Sequence, residues 1–231
     1  YKAEYPTGNS NTAIGYASLS DATTATTSTA VGMYALKANT TASSNTAVGY
    51  SALYANTTGT GNVALGYASG DANTTGSNNT AIGYDALTAN TTAEKNTAVG
   101  KGSLSGTTTG GSNTAYGYQS GLGNTTGNTN TALGYETLYT NQAGDRNCAV
   151  GFQSFYTFNP SGNADSYNTG LGYHSGYSTT TGYYNTAIGA LALDANTTGA
   201  NNVAVGYNSL TSNTTADSNT ALGYEALKNN T

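Results

Sequence analysis

Apolar and polar positions recur along this chain at one fixed spacing. A motif of asparagine, threonine, alanine, an aliphatic residue and glycine, as in Asn45–Gly49, occurs in thirteen versions. Its glycines are 17 residues apart every time except once, when the spacing is 21. The 3.6-residue periodicity of amphipathic helices is absent, and a fixed period of this size is typical of solenoids, in which each repeat forms one coil. We therefore expect an all-β fold, a β-solenoid of about thirteen 17-residue coils in a single domain over residues 1–231.

The repeat is numbered from its asparagine, so that positions 1 to 17 read N-T-A-[IVL]-G-Y-x-[AS]-L-x-A-N-T-T-G-x-x. Position 2 holds Thr, Val or Cys148, and position 4 is aliphatic in every coil except at Tyr116. Since strand side chains alternate between two faces, positions 2 and 4 share a face, and their apolar content predicts that this face is the core. Position 9 is mostly leucine and predicts a second inward wall, interrupted by Gly70, Gly121 and Gly176.

Position 3 is alanine in every coil but one, where it is Gly170, although alternation turns it away from positions 2 and 4. A solvent-facing position would vary as position 7 does, so something packs closely against position 3. The neighbour is either a tight corner of the same chain or another subunit. Asparagine at positions 1 and 12 predicts turns, and its amides could hydrogen-bond to the coil above.

The amino-acid composition narrows the range of functions that the chain can have. Only 7% of the residues are charged, the formal net charge is −5 and the sequence pI is about 4.5, which argues against nucleic-acid binding. No apolar run approaches the roughly 20 residues of a membrane helix, so we expect no membrane insertion within this segment. Cys148 and His174 have no evident partner for catalysis, and the carboxylates are scattered. We expect no enzyme activity, no catalytic residues, no metal and no cofactor.

The motif Ser28–Gly32 and its versions such as Asn79–Gly83 resemble the S-x-A-[IV]-G signature of the heads of trimeric autotransporter adhesins, the YadA-like or Hep/Hag repeats, and similar repeats occur in phage tail fibres. The resemblance covers all thirteen coils, although the period is longer than that of the family's head repeat. It implies a left-handed β-roll, three parallel chains around one axis, and a role in attachment at a cell or virion surface.

We therefore expect a non-catalytic structural or adhesive segment of an extracellular fibre, assembled as a homotrimer, with a host surface or glycan as a further partner. A second hypothesis is a subunit that polymerises head to tail into an extracellular filament, because neither end of the sequence carries a helix or charged segment that would cover an open sheet edge. A glycan-binding or ice-binding module is a third.

Residues 152–171 contain a four-residue insertion, the one break in the period. Its aromatic content, with the tyrosines that follow, predicts a recognition loop. A bulge without a partner is the alternative. The candidate binding residues are Phe155, Tyr156, Phe158, Asn159, Tyr167, Tyr177, Tyr183 and Tyr184.

Two further sets of residues recur. Position 6 predicts a partly buried stack at a corner or between subunits, or alternatively a strip on which sugars stack; its tyrosines are Tyr16, Tyr50, Tyr67, Tyr84, Tyr118, Tyr135, Tyr173, Tyr207 and Tyr224. The N-T-T segments are formal glycosylation acceptors, or alternatively a ladder of turns; their asparagines are Asn39, Asn56, Asn73, Asn90, Asn124, Asn196 and Asn213.

Overall fold

The computed structural model describes residues 8–162 and 164–230, and within these ranges the chain forms short strands and turns but no helix. None of these residues belongs to a helix long and apolar enough to cross a membrane. Most strands have three residues and cover positions 2 to 4 of the repeat. The strands are β1 (Thr12–Ile14), β2 (Thr29–Val31), β3 (Thr46–Val48), β4 (Val63–Leu65), β5 (Thr80–Ile82), β6 (Thr97–Val99), β7 (Thr114–Tyr116), β8 (Thr131–Leu133), β9 (Gly144–Asp145), β10 (Cys148–Val150), β11 (Ala164–Asp165), β12 (Thr169–Leu171), β13 (Thr186–Ile188), β14 (Val203–Val205) and β15 (Thr220–Leu222).

The chain divides into two compact units, residues 1–112 and 113–231. In the first unit, β1 to β6 pair in chain order as a parallel sheet in which equivalent residues face each other, as Thr12 faces Thr29. In the second unit, β7, β8, β10 and β12 to β15 pair in the same way. The predicted all-β solenoid of stacked 17-residue coils is thus confirmed, whereas a single domain over residues 1–231 stays a prediction.

Small residues and about one leucine per coil line the interior. The alanine of position 3 is buried, and Ala30, Ala47 and Ala98 are 0% exposed. Position 9 is buried through leucines such as Leu36 and Leu193, and position 8 through alanine, serine or, once, Thr137. The close neighbour predicted for position 3 therefore belongs to the same chain.

Positions 2 and 4 face outward, and the prediction that they form the core is wrong. At position 4, Ile14, Leu65 and Leu133 are 59%, 47% and 44% exposed, and Val63 at position 2 is 39% exposed. Strand alternation shows which residues share a face but not which face lies inside. Because the coil interior is filled with alanine, serine and asparagine, the larger aliphatic side chains take the outer face.

Asparagine side chains tie the coils together from the inside, and the predicted stacking of amides is confirmed. At position 1, Asn45 Oδ1 accepts a hydrogen bond from the backbone N–H of Asn62 in the next coil at 2.8 Å, and Asn45 Nδ2 donates to the carbonyl of Gly59 at 2.8 Å. At position 12, Asn73 Nδ2 donates to Asn56 Oδ1 at 2.7 Å. Buried amides are stable only when paired, and here each level of the stack provides the partner for the next.

The bends of the coil use backbone conformations with positive φ. Ser44, Ser51 and Leu53, at positions 17, 7 and 9, have φ angles of 61°, 53° and 50°. Position 5 requires glycine because neighbouring coils approach each other closely there. A Cβ on Gly49 would lie 2.2 Å from the carbonyl oxygen of Gly66 in the next coil. Stacking at the observed distance leaves no room for a side chain there.

The four added residues of the insertion lie between positions 12 and 17 of the coil that begins at Asn147. It contributes β11, which pairs in parallel with β9. Within the main sheet, Cys148 pairs with Thr131 on one side and with Thr169 on the other. The added residues therefore alter one corner of this coil and leave the strand register unchanged.

Candidate functional site

Phe155 and Phe158, predicted as part of a recognition loop, lie in the core, and that prediction is wrong for both. They occupy positions 9 and 12, both side chains are 0% exposed, and their ring centroids are 6.1 Å apart at an interplanar angle of 72°. Glycines provide the space: a Cβ on Gly170 or on Gly176 would lie 2.8 Å or 2.5 Å from the nearest atom of the Phe155 ring. Burial of the two rings stabilises the altered coil.

Tyr156 and Tyr177 belong to an aromatic ladder at position 10. The ring centroids of Tyr139 and Tyr156 are 5.0 Å apart, those of Tyr156 and Tyr177 are 5.3 Å apart, and the interplanar angles are 10° and 6°. Asn159 is engaged nearby, since its Oδ1 accepts a hydrogen bond from the backbone N–H of Gln142 at 3.2 Å. These predicted loop residues therefore contribute to stacking between coils.

The exposed remainder of the predicted loop forms a corner patch with Arg146. Tyr167, Tyr183 and Tyr184 are 45%, 47% and 47% exposed. Tyr167 stacks on Tyr184 at 5.5 Å, and the guanidinium carbon of Arg146 lies 5.5 Å from the Tyr167 ring centroid. Arg146 also forms an ion pair with Asp165 of the insertion. The cation of this corner is thus already paired within the chain.

Most tyrosines of position 6 stack face to face within the chain, whereas packing of this strip between subunits stays a prediction. In the first unit, Tyr50, Tyr67 and Tyr84 follow one another at centroid distances of 5.1 and 5.0 Å, whereas Tyr16 meets the ring of Tyr34 edge-on at 5.6 Å. In the second unit the distances are 5.0 to 5.6 Å in the pairs Tyr118–Tyr135, Tyr135–Phe152, Phe152–Tyr173 and Tyr207–Tyr224. Neighbouring rings cover each other's faces, so little of the ring faces inside the ladder is accessible. Sugar stacking, which needs a free ring face, is therefore restricted to the ladder ends.

A polar ladder at position 7 accompanies the two aromatic ladders in the second unit. Gln153 Nε2 donates a hydrogen bond to Glu136 Oε2 at 2.8 Å, and Gln153 Oε1 lies 2.9 Å from His174 Nε2. Because Gln153 presents its carbonyl oxygen, His174 donates through Nε2. The His174 ring also stacks on Tyr173 at 4.0 Å and on Tyr177 at 4.4 Å, so the polar and aromatic ladders are in contact.

Two carboxylates give this region its electrostatic character. Asp194 Oδ1 is 4.0 Å from His174 Nδ1 and has no hydrogen-bond partner within the described part of the chain. Burial raises the pKa of Asp194, and the nearby His174 lowers it to a smaller extent. A hydrogen bond to Glu136 raises the pKa of Tyr135, and burial followed by the charge of Glu136 raises that of Tyr156.

From the sequence, His174 has no evident partner for catalysis, and neither Gln153 nor Tyr139 stands out as a site residue. The repeat itself carries the signal that finds them. Positions 6, 7 and 10 of the coils that begin at Asn130, Asn147 and Asn168 lie over one another once the 21-residue spacing is taken into account.

The asparagines predicted as glycosylation acceptors lie inside the coil. All seven are between 0% and 2% exposed. Each donates a side-chain N–H to the backbone carbonyl three residues further on, as Asn39 does to Ala42 at 3.0 Å and Asn196 to Gly199 at 3.1 Å. The ladder of turns is the supported interpretation, because these nitrogens are inaccessible to a sugar in the folded chain.

The outer sheet face, defined as positions 2 and 4 of the strands, carries an aliphatic ladder flanked by threonines. Cys148 lies on this face as a half-buried free thiol, so its predicted place in the core is wrong. Position 4 contributes Ile14, Val31, Val48, Leu65, Ile82 and Val99 in the first unit, and Tyr116, Leu133, Val150, Leu171, Ile188, Val205 and Leu222 in the second.

No group of three or more His, Cys, Asp or Glu side chains that could hold a metal ion exists within residues 8–162 and 164–230. Comparison with known proteins found no matching protein-family model, curated protein or solved structure. Support for a function therefore comes from the outer sheet face and the side-chain ladders.

Proposed function

We propose that the chain is a non-catalytic structural or adhesive segment of an extracellular fibre, in which copies of the chain associate through the outer sheet face. The observation that carries this proposal is the row of exposed aliphatic side chains at position 4 within each of the two units. Leu65 and Leu171 are 47% and 49% exposed, and Tyr116 is 58% exposed. Monomeric soluble proteins rarely expose an extended apolar surface, and such surfaces mark sites of interaction.

The outer sheet face also lacks charge. Positions 2 and 4 carry no Asp, Glu, Lys or Arg in any coil, whereas position 7 carries Asp85 and Glu136, and position 10 carries Asp71 and Asp194. Depletion of charged residues distinguishes the centre of a protein interface from ordinary surface. Positions 2 and 4 thus form an uncharged face that can be buried in an interface, whereas positions 7 and 10 carry charged side chains suited to contact with water.

The sizes of the position 4 side chains favour a second copy of the chain as the partner. Val48, Leu65 and Ile82 follow one another in the first unit, and Tyr116 precedes Leu133 in the second. A parallel copy in the same register presents the same side chain at every level, so irregular sizes can be matched level by level. A crystalline surface such as ice would instead favour identical side chains in each coil.

Three copies around one axis agree with the resemblance to trimeric adhesin heads. In that arrangement the chain acts by holding its surface side chains in a rigid, repetitive array for attachment. The ladders at positions 6, 7 and 10, which are separate from the outer sheet face, stay available to a host surface or another partner.

Light scattering coupled to size-exclusion chromatography tests this proposal. We expect a mass about three times the 23.2 kDa of one chain. Leu65→Asp combined with Leu133→Asp should give monomers with an unchanged circular dichroism spectrum, because both side chains are exposed in the single chain. Thr41→Asp is the matched control, since Thr41 is exposed but lies outside the face. A wild-type monomer that inhibits ice growth, or indefinite filaments unaffected by the double substitution, would contradict the proposal.

Cys148 provides a test of register, because it lies on the outer sheet face. In a parallel assembly the thiols of neighbouring copies are at the same level. A short bifunctional maleimide should therefore link chains efficiently, and the Leu65→Asp and Leu133→Asp variant should not be linked. Efficient assembly without linkage would rule out a parallel in-register interface.

A further inference from the structure

Three tyrosines of the first unit form a continuous face-to-face stack. Tyr50, Tyr67 and Tyr84 occupy position 6 of three consecutive coils. The ring centroids are 5.1 Å apart in the pair Tyr50–Tyr67 and 5.0 Å apart in the pair Tyr67–Tyr84, with interplanar angles of 10° and 9°. The three residues are 43%, 48% and 49% exposed. Each phenol thus lies beside another phenol and is also reached by solvent.

The stacking of the coils places equivalent atoms of these rings opposite each other. The strands that precede the tyrosines pair in register, so that Val48 faces Leu65 and Leu65 faces Ile82. Because the rings start from equivalent positions and are nearly parallel, the ortho carbons beside the hydroxyl groups are neighbours across the stack. Rotation of a tyrosine ring about its Cβ–Cγ bond is only weakly restricted, so two ortho carbons of these half-exposed rings can approach to bonding distance.

We propose that this stack is a site of oxidative cross-linking, in which Tyr67 becomes joined to Tyr84 or to Tyr50 by a carbon–carbon bond. The oxidant is hydrogen peroxide acting through a haem peroxidase. Each of two phenols gives up one electron and one proton, and the peroxide takes up both electrons and both protons to form two molecules of water. The two phenoxyl radicals then join through one ortho carbon each, and the hydrogen on each of these carbons moves to the phenol oxygen of its own ring.

The positions of the reacting carbons follow from the radical itself. The unpaired electron of a phenoxyl radical resides on the oxygen and on the ortho and para carbons, and the para carbon of tyrosine already carries Cβ. Coupling of two such radicals is ordinarily a bimolecular reaction. In the stack it becomes a reaction between groups that are already held side by side, and such positioning greatly raises their effective concentration.

The surroundings of Tyr84 leave it one partner for this reaction within the ladder. Its neighbours at position 6 are Tyr67 on one side and Lys101 on the other, and Lys101 Nζ lies 5.4 Å from the Tyr84 ring centroid. A lysine forms no phenoxyl radical. Tyr34, by contrast, meets Tyr50 edge-on at an interplanar angle of 73°, which does not place equivalent ortho carbons opposite each other. The face-to-face pairs are therefore the preferred sites of coupling.

The cross-link ties together two coils that otherwise meet through hydrogen bonds and packing. Like a disulfide, a bond that spans one repeat restricts the unfolded chain, so the linked protein should resist unfolding more strongly. Position 6 is not part of the outer sheet face, and the bond forms within one chain. The modification is therefore separate from self-association.

Cleavage before aspartate residues reports the bond between Tyr67 and Tyr84. Such cleavage gives fragments 21–70 and 71–84, and Tyr84 is the only tyrosine of the second fragment. The full chain is treated with hydrogen peroxide and a purified haem peroxidase, then denatured and digested with a protease that cleaves before aspartate. We expect mass spectrometry to show the two fragments joined, with the loss of two hydrogen atoms. Absence of this product would overturn the proposal.

Variants identify the partner of Tyr84. Tyr67→Phe should abolish the joined product, because phenylalanine keeps a stacked ring but has no phenol. Tyr54→Phe is the matched control, since it removes another exposed tyrosine of fragment 21–70 and should leave the product unchanged. A joined product that persists in Tyr67→Phe, or that is lost equally in Tyr54→Phe, would overturn the assignment.

Isotope labelling separates coupling within a chain from coupling between chains. Chains labelled with a heavy isotope are unfolded and refolded together with unlabelled chains before oxidation. We expect joined fragments that carry one label throughout, whereas mixed labels would overturn the proposal by placing the partner of Tyr84 on another copy. Light scattering of the same sample measures association independently, so failure of this inference is distinguishable from failure of the proposed function.

Discussion

A Cβ atom on Gly176 would lie 2.5 Å from Cε1 of Phe155, and Gly176 has a φ angle of 63°. The two residues occupy position 9 in neighbouring coils, where most coils have leucine. The large ring of one coil is therefore accommodated by the missing side chain of the next. Glycine also adopts the left-handed backbone of this position without steric cost.

Gly176→Ala should lower the free energy of unfolding by roughly 2 to 4 kcal/mol, from overpacking and backbone strain together. Chemical denaturation measures this change. Gly162→Ala isolates the strain, because Gly162 has a φ of 81° and its added Cβ would meet nothing within 4 Å. In a Phe155→Leu background most of the overpacking should disappear. If the cost of Gly176→Ala is the same in both backgrounds, the packing explanation is wrong.

Asn73→Asp should destabilise the first unit by about 3 kcal/mol or more, because a buried carboxylate replaces an amide. Asn73 Nδ2 donates to Asn56 Oδ1 and to the Gly76 carbonyl, and an ionised aspartate can donate to neither. The exposed Asn78 provides the control, and Asn78→Asp should change the unfolding free energy by less than about 1 kcal/mol. Equal effects of the two substitutions in urea titrations would contradict the hydrogen-bonded ladder.

Ala64→Val and Leu65→Ser test which face of the strand is inside. Ala64 is 0% exposed and Leu65 is 47% exposed. Overpacking by the valine should cost about 1 to 3 kcal/mol of folding free energy. The serine should leave the unfolding of a single chain nearly unchanged and weaken self-association. Thermal unfolding at protein concentrations below and above the one at which chains associate separates the effect on folding from the effect on self-association. If Leu65→Ser were more destabilising than Ala64→Val at low concentration, positions 2 and 4 would belong to the core after all.

Asp194→Asn should change the pH dependence of stability. Burial raises the folded-state pKa of Asp194 above its ordinary value of 3.8. At pH values between 3.8 and the raised pKa, the folded chain therefore binds more protons than the unfolded chain. The free energy of unfolding of the wild type therefore falls as pH rises through this window, and the loss persists at neutral pH.

The Asp194→Asn variant lacks this loss, so its stability relative to the wild type should increase from pH 3 to pH 7. Denaturation at a series of pH values measures the difference. Glu94→Gln, at an exposed residue, is the control and should show a smaller trend. A relative stability that decreases with pH would show that the carboxylate is stabilised rather than penalised in the folded chain.

The sequence predicts the stacking of the coils well, because a fixed period places like residues at like positions. Ala47 does face Ala64, and Thr46 faces Val63, as the period requires. It does not reveal the inside of the coil, since alternation is symmetric between two faces. Position 3, which holds alanine in every coil but one and glycine in that one, is the better guide, because only a position without space excludes larger side chains.

Phe155 and Phe158 illustrate a second limit of the sequence. An aromatic-rich insertion in a repeat suggests an exposed recognition loop, whereas each ring gains more free energy by leaving water. The compensating glycine at Gly176 is 21 residues away, so its relation to Phe155 is visible only once the stacking is known. The polar ladder from Glu136 to His174 was missed for the same reason, because its members are neighbours only across coils.

The coil that carries the insertion shows that this architecture can accept added residues in a single coil. Its strand β10 keeps its partners on both sides although four residues were added a few positions later. Each winding depends only on the one before and the one after, so a change of length at this corner is not transmitted along the chain. A Cβ added to Gly162 would meet no atom within 4 Å, so this corner is where the chain can accept a longer loop without loss of the strand register.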